Sequence, residues 1–192
     1  MRIQIRMTPP SEVEQGVLDG SLHVGVVPQA GALSGLEYQA LYNERSLLYC
    51  AVGHPLFYVD DRELEDDRLN AQEAIAPTFR LPPEAQAHYQ ALNCTASASD
   101  REGMAFLLLT GRYIGYLPDH YASAWVQQGR LRALKADSRS YEVSLAAVTR
   151  KGPARSGRSV PRSKSAASLC RLVPTWISTA QHSAASIGSQ AR

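Results

Sequence analysis

Apolar and polar positions change period repeatedly along this chain, from two to about 3.6 and back, the pattern of alternating strands and helices. Ile3 to Met7 alternates apolar and charged residues and predicts a short half-buried strand, stopped by Thr8-Pro9-Pro10. Ser11 is placed to cap a helix over 12–18, with Glu14 three positions on as in a capping box, and Asp19-Gly20 ends it. Leu22 to Val27 reads as a buried strand closed by Pro28, with His23 as a satisfied core residue. Strand, helix and strand in this order predict a parallel crossover unit.

The stretch Leu36–Val52 is dense in Leu, Tyr, Cys and Val and predicts two strands broken near Asn43-Glu44-Arg45, ended by Gly53-His54-Pro55. A polar connection with some helix follows over 60–70. A strand is expected over 73–79, a helix started by Pro82-Pro83 over 84–92, and another strand over 95–99. Asp100 caps an amphipathic helix over 101–110, which Gly111 ends. Tyr113 to Pro118 is a strand cut by proline; a helix over 119–128 ends at Gly129, and strands over 131–134 and 141–149 complete the body.

Charge divides the chain where the periodicity stops. Residues 1–150 carry 18 acidic and 13 basic side chains, and residues 151–192 carry 7 basic and no acidic ones, so the formal net charge of +2 hides an acidic body and a basic tail. The body repels a phosphate backbone; Arg155, Arg158, Arg162 and Lys164 in the tail attract one without specificity. Nine serines and no sustained apolar period give the tail the composition of a disordered segment. Either a change of reading frame near codon 151 or an authentic basic tail accounts for the break.

Cys50, Cys94 and Cys170 lie far apart without ligand spacing, which fits a reduced cytosolic setting, and no stretch reads as a secretory signal or a membrane span. His23 and His54 lack partners at metal-ligand spacing, so neither a metal nor a cofactor is expected. Asp119-His120 invites an acid–base reading, but acids are common in a first helical turn for dipole reasons alone. No nucleophile elbow, phosphate-binding loop or zinc-protease motif occurs, so the expectation is that the chain is not an enzyme.

Several elements together resemble the effector domain of LysR-type transcriptional regulators. They are Val17-Leu18-Asp19-Gly20 before His23–Val27, Leu41–Glu44 with Leu47–Val52, and Gly53-His54-Pro55-Leu56. Glu102-Gly103-Met104, Leu107–Gly111, Ile114–Pro118 and Trp125-Val126 with Gly129-Arg130-Leu131 continue the likeness. Singly these are weak; in order over residues 1–150 they are specific.

The resemblance implies an α/β, periplasmic-binding-protein-like fold, with two Rossmann-like lobes joined by two crossing strands. Lobe one, over residues 1–40, is expected to be incomplete, since the chain opens at what looks like the family's second strand. The first crossing strand falls over 41–52, lobe two over 53–140, the return strand over 141–150, and the tail over 151–192. A small effector, of anionic or aromatic kind, is implied between the lobes, where strand ends and helix N-termini meet. That selects Thr8, Pro9, Pro10 and Ser11 in lobe one. In lobe two it selects Phe79, Arg80, Leu81 and Pro82, then Ser97, Ser99 and Asp100, then Tyr116, Leu117 and Pro118. Arg80 suits a carboxylate or a surface ion pair equally. The implied function is effector sensing in a cytoplasmic regulator that is a homo-oligomer when intact. This chain alone would bind neither specific DNA nor a membrane. A free-standing cytoplasmic binding module, or a non-functional gene fragment, is the alternative.

Overall fold

The computed structural model describes residues 3–152. Helix α1 (Pro10–Asp19) is followed by strand β1 (Gly25–Pro28) and by a 16-residue strand β2 (Leu36–Ala51). A short helix α2 (Asp66–Asn70) leads to β3 (Glu73–Pro77), α3 (Pro83–Gln90), β4 (Asn93–Ala98), α4 (Arg101–Leu109), β5 (Gly115–Pro118) and α5 (Asp119–Gln127). Strands β6 (Leu131–Ala133) and β7 (Ser140–Arg150) complete the described chain.

The long strand β2 organises everything else. It pairs antiparallel with β7 from Leu36↔Arg150 to Leu47↔Ser140, and its carboxyl half also takes β5 and β6. At the other end β7 pairs antiparallel with β1. β3 and β4 run parallel, and Ala74 bridges Ile114 in parallel at the approach to β5. The Ile75 N–H donates to the Ile114 carbonyl at 3.0 Å, and the Ile114 N–H to the Glu73 carbonyl at 2.9 Å. β4, β3 and β5 therefore lie side by side with their carboxyl ends on one edge.

Four apolar clusters fill the layers. Leu48, Cys50, Leu56, Leu69, Ile114 and Tyr116 form one within lobe two, and Tyr49, Ile75, Leu108, Leu117 and Ala122 form the other beneath α4 and α5. Val13, Val17, Val27, Leu36 and Val148 hold α1 against β1 and β7. Leu81, Ala85, Val143 and Leu145 make the fourth, under α3. A fully buried leucine such as Leu108 contributes about 1.5–3 kcal/mol relative to exposure. Two glycines are fixed by close approach. A Cβ on Gly25 would lie 2.2 Å from Val13 Cγ1, and Gly111, at φ 76°, would place one 2.7 Å from the Val52 carbonyl.

Five expectations need correction. Residues 3–7 form no strand, and Ile3, Ile5 and Met7 are 60%, 82% and 79% exposed. Alternation supplies a ribbon with two faces but not a ladder partner, and β1 meets β7 instead, antiparallel, so residues 3–27 make no parallel crossover. α1 starts at Pro10, with Pro9 before it and no side-chain cap. Proline is pre-shaped for the first helical position, where its missing N–H costs nothing, and Ser11 is exposed inside the helix.

The break foreseen near Asn43-Glu44-Arg45 is absent. β2 runs through it, and the irregularity is a bulge between Ala40 and Tyr42. His23 is exposed and precedes β1 rather than sitting in a buried strand. The expectations for the tail fall mostly on residues 153–192, outside the described residues.

Candidate functional site

The edge where β3, β4 and β5 end gathers the lobe-two loops. Pro77 is in register with Ala98, and the Thr78 N–H donates to the Ala98 carbonyl at 3.0 Å, so the loop of Phe79–Pro82 lies beside that of Ser99-Asp100. β5 ends at Pro118, opposite Ser46 of β2, and α5 starts at the next residue. These loops open where a doubly wound sheet offers unpaired backbone N–H groups to a ligand.

The predicted residues play unequal parts there. Arg80, Ser97, Ser99 and Asp100 are exposed. Asp100 caps α4, its Oδ1 accepting from the Gly103 N–H at 2.7 Å, and Ser99 Oγ donates to Asp100 Oδ2 at 3.3 Å. Phe79 and Leu81 pack into the cluster with Val143, Leu145 and Tyr42. Pro82 and Pro118 immediately precede α3 and α5. Tyr116 and Leu117 are committed to the two lobe-two cores, the Tyr116 hydroxyl lying 3.4 Å from His88 Nδ1. Thr8, Pro9, Pro10 and Ser11 stand at the start of α1 in lobe one. Thr8 Oγ1 donates to Glu12 Oε2, and the Pro9 carbonyl accepts from the Glu12 and Val13 N–H groups. Among the described residues no hydrogen bond joins these four to the lobe-two loops.

The most unusual chemistry lies at Glu44. This β2 residue is only 6% exposed, beyond the end of β5, level with the starts of α4 and α5. Arg101, the first residue of α4, reaches Glu44 Oε1 through Nη2 at 2.5 Å. His120, the second residue of α5, places Nε2 3.8 Å from Oε2, too far for a hydrogen bond, and Oε2 is buried without a partner among the described residues. Burial lifts the Glu44 carboxyl above its ordinary range, the Arg101 and His120 charges pull it down, and Asp119 raises it further.

Beside this group stand three tyrosines. The Tyr89 and Tyr141 hydroxyls are 3.0 Å apart, and the Tyr116 ring lies 5.0 Å from that of Tyr141. Burial drives the Tyr116 phenol up to about 12, so it stays protonated and can donate. The Cys50 thiol is likewise pushed to about 12 by burial. Among the described residues no group of three or more His, Cys, Asp or Glu is arranged to hold a metal, and no helix is long and apolar enough to cross a membrane.

Glu44, Arg101 and His120 escaped the sequence reading as a group. Glu44 passed for part of a strand break, Arg101 for an ordinary first helical residue, and His120 for a neighbour of a dipole-favoured acid. No local signal marked Glu44, since β2 also carries Glu37, Gln39, Asn43, Arg45 and Ser46.

This architecture, two α/β lobes sharing a pair of long antiparallel strands, with helix N-termini and loops turned to one sheet edge, defines a periplasmic-binding-protein-like regulatory fold. The family described as LysR substrate binding domain matches residues 1–159, and the chain belongs to that family. It is 58% identical over 152 residues to the HTH-type transcriptional activator BauR of Pseudomonas aeruginosa, covering 79% of this chain and 50% of BauR. The chain thus spans about half the length of that curated relative. Among solved structures, the hydrogen-peroxide-bound C206S mutant of OxyR from Corynebacterium glutamicum superposes with a TM-score of 0.66 at 16% identity, over 96% of this chain and 58% of that one. Full-length LysG from the same organism, with bound effector Arg, superposes with a TM-score of 0.58 at 15% identity, over 91% and 57% of the two chains.

Proposed function

We propose that the chain is the effector-sensing part of a LysR-type transcriptional regulator, and that a small molecule settles between its lobes at the carboxyl ends of β3, β4 and β5. The observation that carries this reading is the convergence of three strand ends and the starts of α4 and α5 on one edge, in a chain whose family is built around a substrate-binding domain. Phe79–Pro82, Ser99 and Asp100 contribute from the loops, and Ser97 from the end of β4. Tyr116, Leu117 and Pro118 act mainly by holding the start of α5 in place, and Thr8–Ser11 close the site from lobe one.

In the intact regulator, a cytoplasmic homo-oligomer, the effector favours one arrangement of lobes and subunits over another. It shifts that balance only by its difference in affinity for the two, about 1.4 kcal/mol for each tenfold ratio. DNA is read elsewhere than by the described body, whose excess of acids opposes a phosphate backbone.

The test is a thermal-shift screen of small metabolites on the 1–192 chain, followed by Ser97→Trp at the exposed end of β4. A true effector at one hundred times its Kd stabilises by about 2.7 kcal/mol. Ser97→Trp should abolish that gain while leaving the unliganded Tm in place. Full ligand stabilisation in both Ser97→Trp and Ser99→Trp would locate the site elsewhere.

A further inference from the structure

We propose that the effector carries a protonated amino group and that Glu44 Oε2 receives it. This rests on the effector-site reading above and assigns the chemistry of one end of the ligand.

Oε2 is a charged acceptor, buried on a side chain that is 6% exposed, and among the described residues it has no hydrogen-bond partner. Leaving such a group unmade is among the larger local penalties a fold carries, and a retained orphan of this kind calls for a donor. Arg101 does not serve, because its guanidinium is engaged on Oε1. His120 does not serve either, since Nε2 stops at 3.8 Å.

That same spacing suits an ammonium. A hydrogen bond runs about 2.9 Å, so one nitrogen can stand within bonding distance of both Oε2 and an unprotonated Nε2 when they are 3.8 Å apart. An ammonium has three donors and no acceptor, and it satisfies both partners at once. A hydroxyl has one donor; a carboxylate has none.

Charge points the same way. Glu44 and Asp119 are two acids whose charges act on each other, and among the described residues Arg101 is the one permanent cation against Glu44. Two carboxylates against one guanidinium leave a negative surplus, which a monocation offsets. Access needs no rearrangement of the sheet. Arg101 and His120 are 36% and 30% exposed, so the approach to Oε2 runs past partly exposed side chains at the starts of α4 and α5.

Matched four-carbon probes test this. n-Butylammonium, butan-1-ol and butanoate are titrated separately into the 1–192 chain, with the backbone amide resonances of Arg101–Gly103 and Asp119–Tyr121 as readout. Butylammonium should move them saturably, with butan-1-ol and butanoate at least tenfold weaker. Glu44→Gln should weaken butylammonium at least tenfold. Should that variant unfold, Glu44→Asp keeps the charge on a shorter arm and should bind more weakly with the amine preference intact. Butanoate displacing butylammonium as the preferred probe at these amides would keep the effector site and overturn the amino-group assignment, as would equal amine binding by Glu44→Gln. Silence of all three probes at these amides would overturn the assignment and count against an effector at this edge, whereas a hit in the metabolite screen that Ser97→Trp abolishes would spare the latter.

Discussion

The two lobes are built from the same materials to different depths. Lobe two has parallel strands with helices on both faces and two dense cores, one around Leu48, Leu56 and Tyr116 and one around Leu108 and Leu117. The described part of lobe one has one helix, held to β1 and β7 by Val13, Val17, Val27, Leu36 and Val148, and its β1 edge carries no second strand. Ile3, Ile5 and Met7, ahead of α1, are largely exposed. Stability within one continuous fold is therefore uneven. Lobe two holds itself together; lobe one leans on the strands it shares with lobe two.

The sharpest way to break this contrast is Leu108→Ala. Leu108 is fully buried beneath α4, and its truncation should cost about 2–5 kcal/mol. Urea unfolding should show a lowered midpoint, and hydrogen exchange should show lost protection throughout lobe two; loss confined to α4 would refute the idea of one cooperative lobe-two core. Gly25→Ala is the counterpart in lobe one. The new methyl would meet Val13 and Val148 and should cost about 1–3 kcal/mol. It should speed exchange at the α1 amides while lobe-two amides keep their protection. Equal loss in both lobes would mean they unfold as one.

The smallest effect is a pH dependence. His54 is buried and its Nδ1 accepts from the Leu56 N–H at 3.1 Å, so burial holds its imidazole below the usual 6.5. His88 is lowered too, by burial and then by Arg139. The fold prefers both rings neutral, so their stabilisation is complete above 6.5 and is lost as pH falls through the depressed values. Melting temperature should drop between pH ~7.5 and pH ~5.5, and His54→Asn should flatten that slope. An unchanged slope in His54→Asn would assign the dependence to other groups.

Lobe two was largely legible in the sequence because its signals are local. Asp100 caps α4 as its position foretells, Gly111 ends the helix, and Pro118 marks the end of β5. What sequence could not supply was the identity of partners. The alternation of Ile3 to Met7 describes a ribbon's faces but says nothing about which edge is free. Glu44 meets Arg101 57 positions later, and His120 lies 76 positions away, so the burial of that acid is invisible to any local window. Ser11 misled for a related reason: a good capping residue lost to Pro10, whose ring fixes the first helical turn.

The long pairing of β2 with β7 has a mechanical consequence. Twelve positions of β2, from Leu36 to Leu47, lie along a double-stranded ribbon that passes from one lobe into the other, with a single irregularity between Ala40 and Tyr42. A door-like swing would tear ladder bonds and strand their amides and carbonyls. Added or relaxed coil would keep those bonds, so relative motion of the lobes is expected as torsion, centred where the ladder already slips. A ligand seated at Glu44, close to that slip, would need to alter only the local winding to turn one lobe against the other.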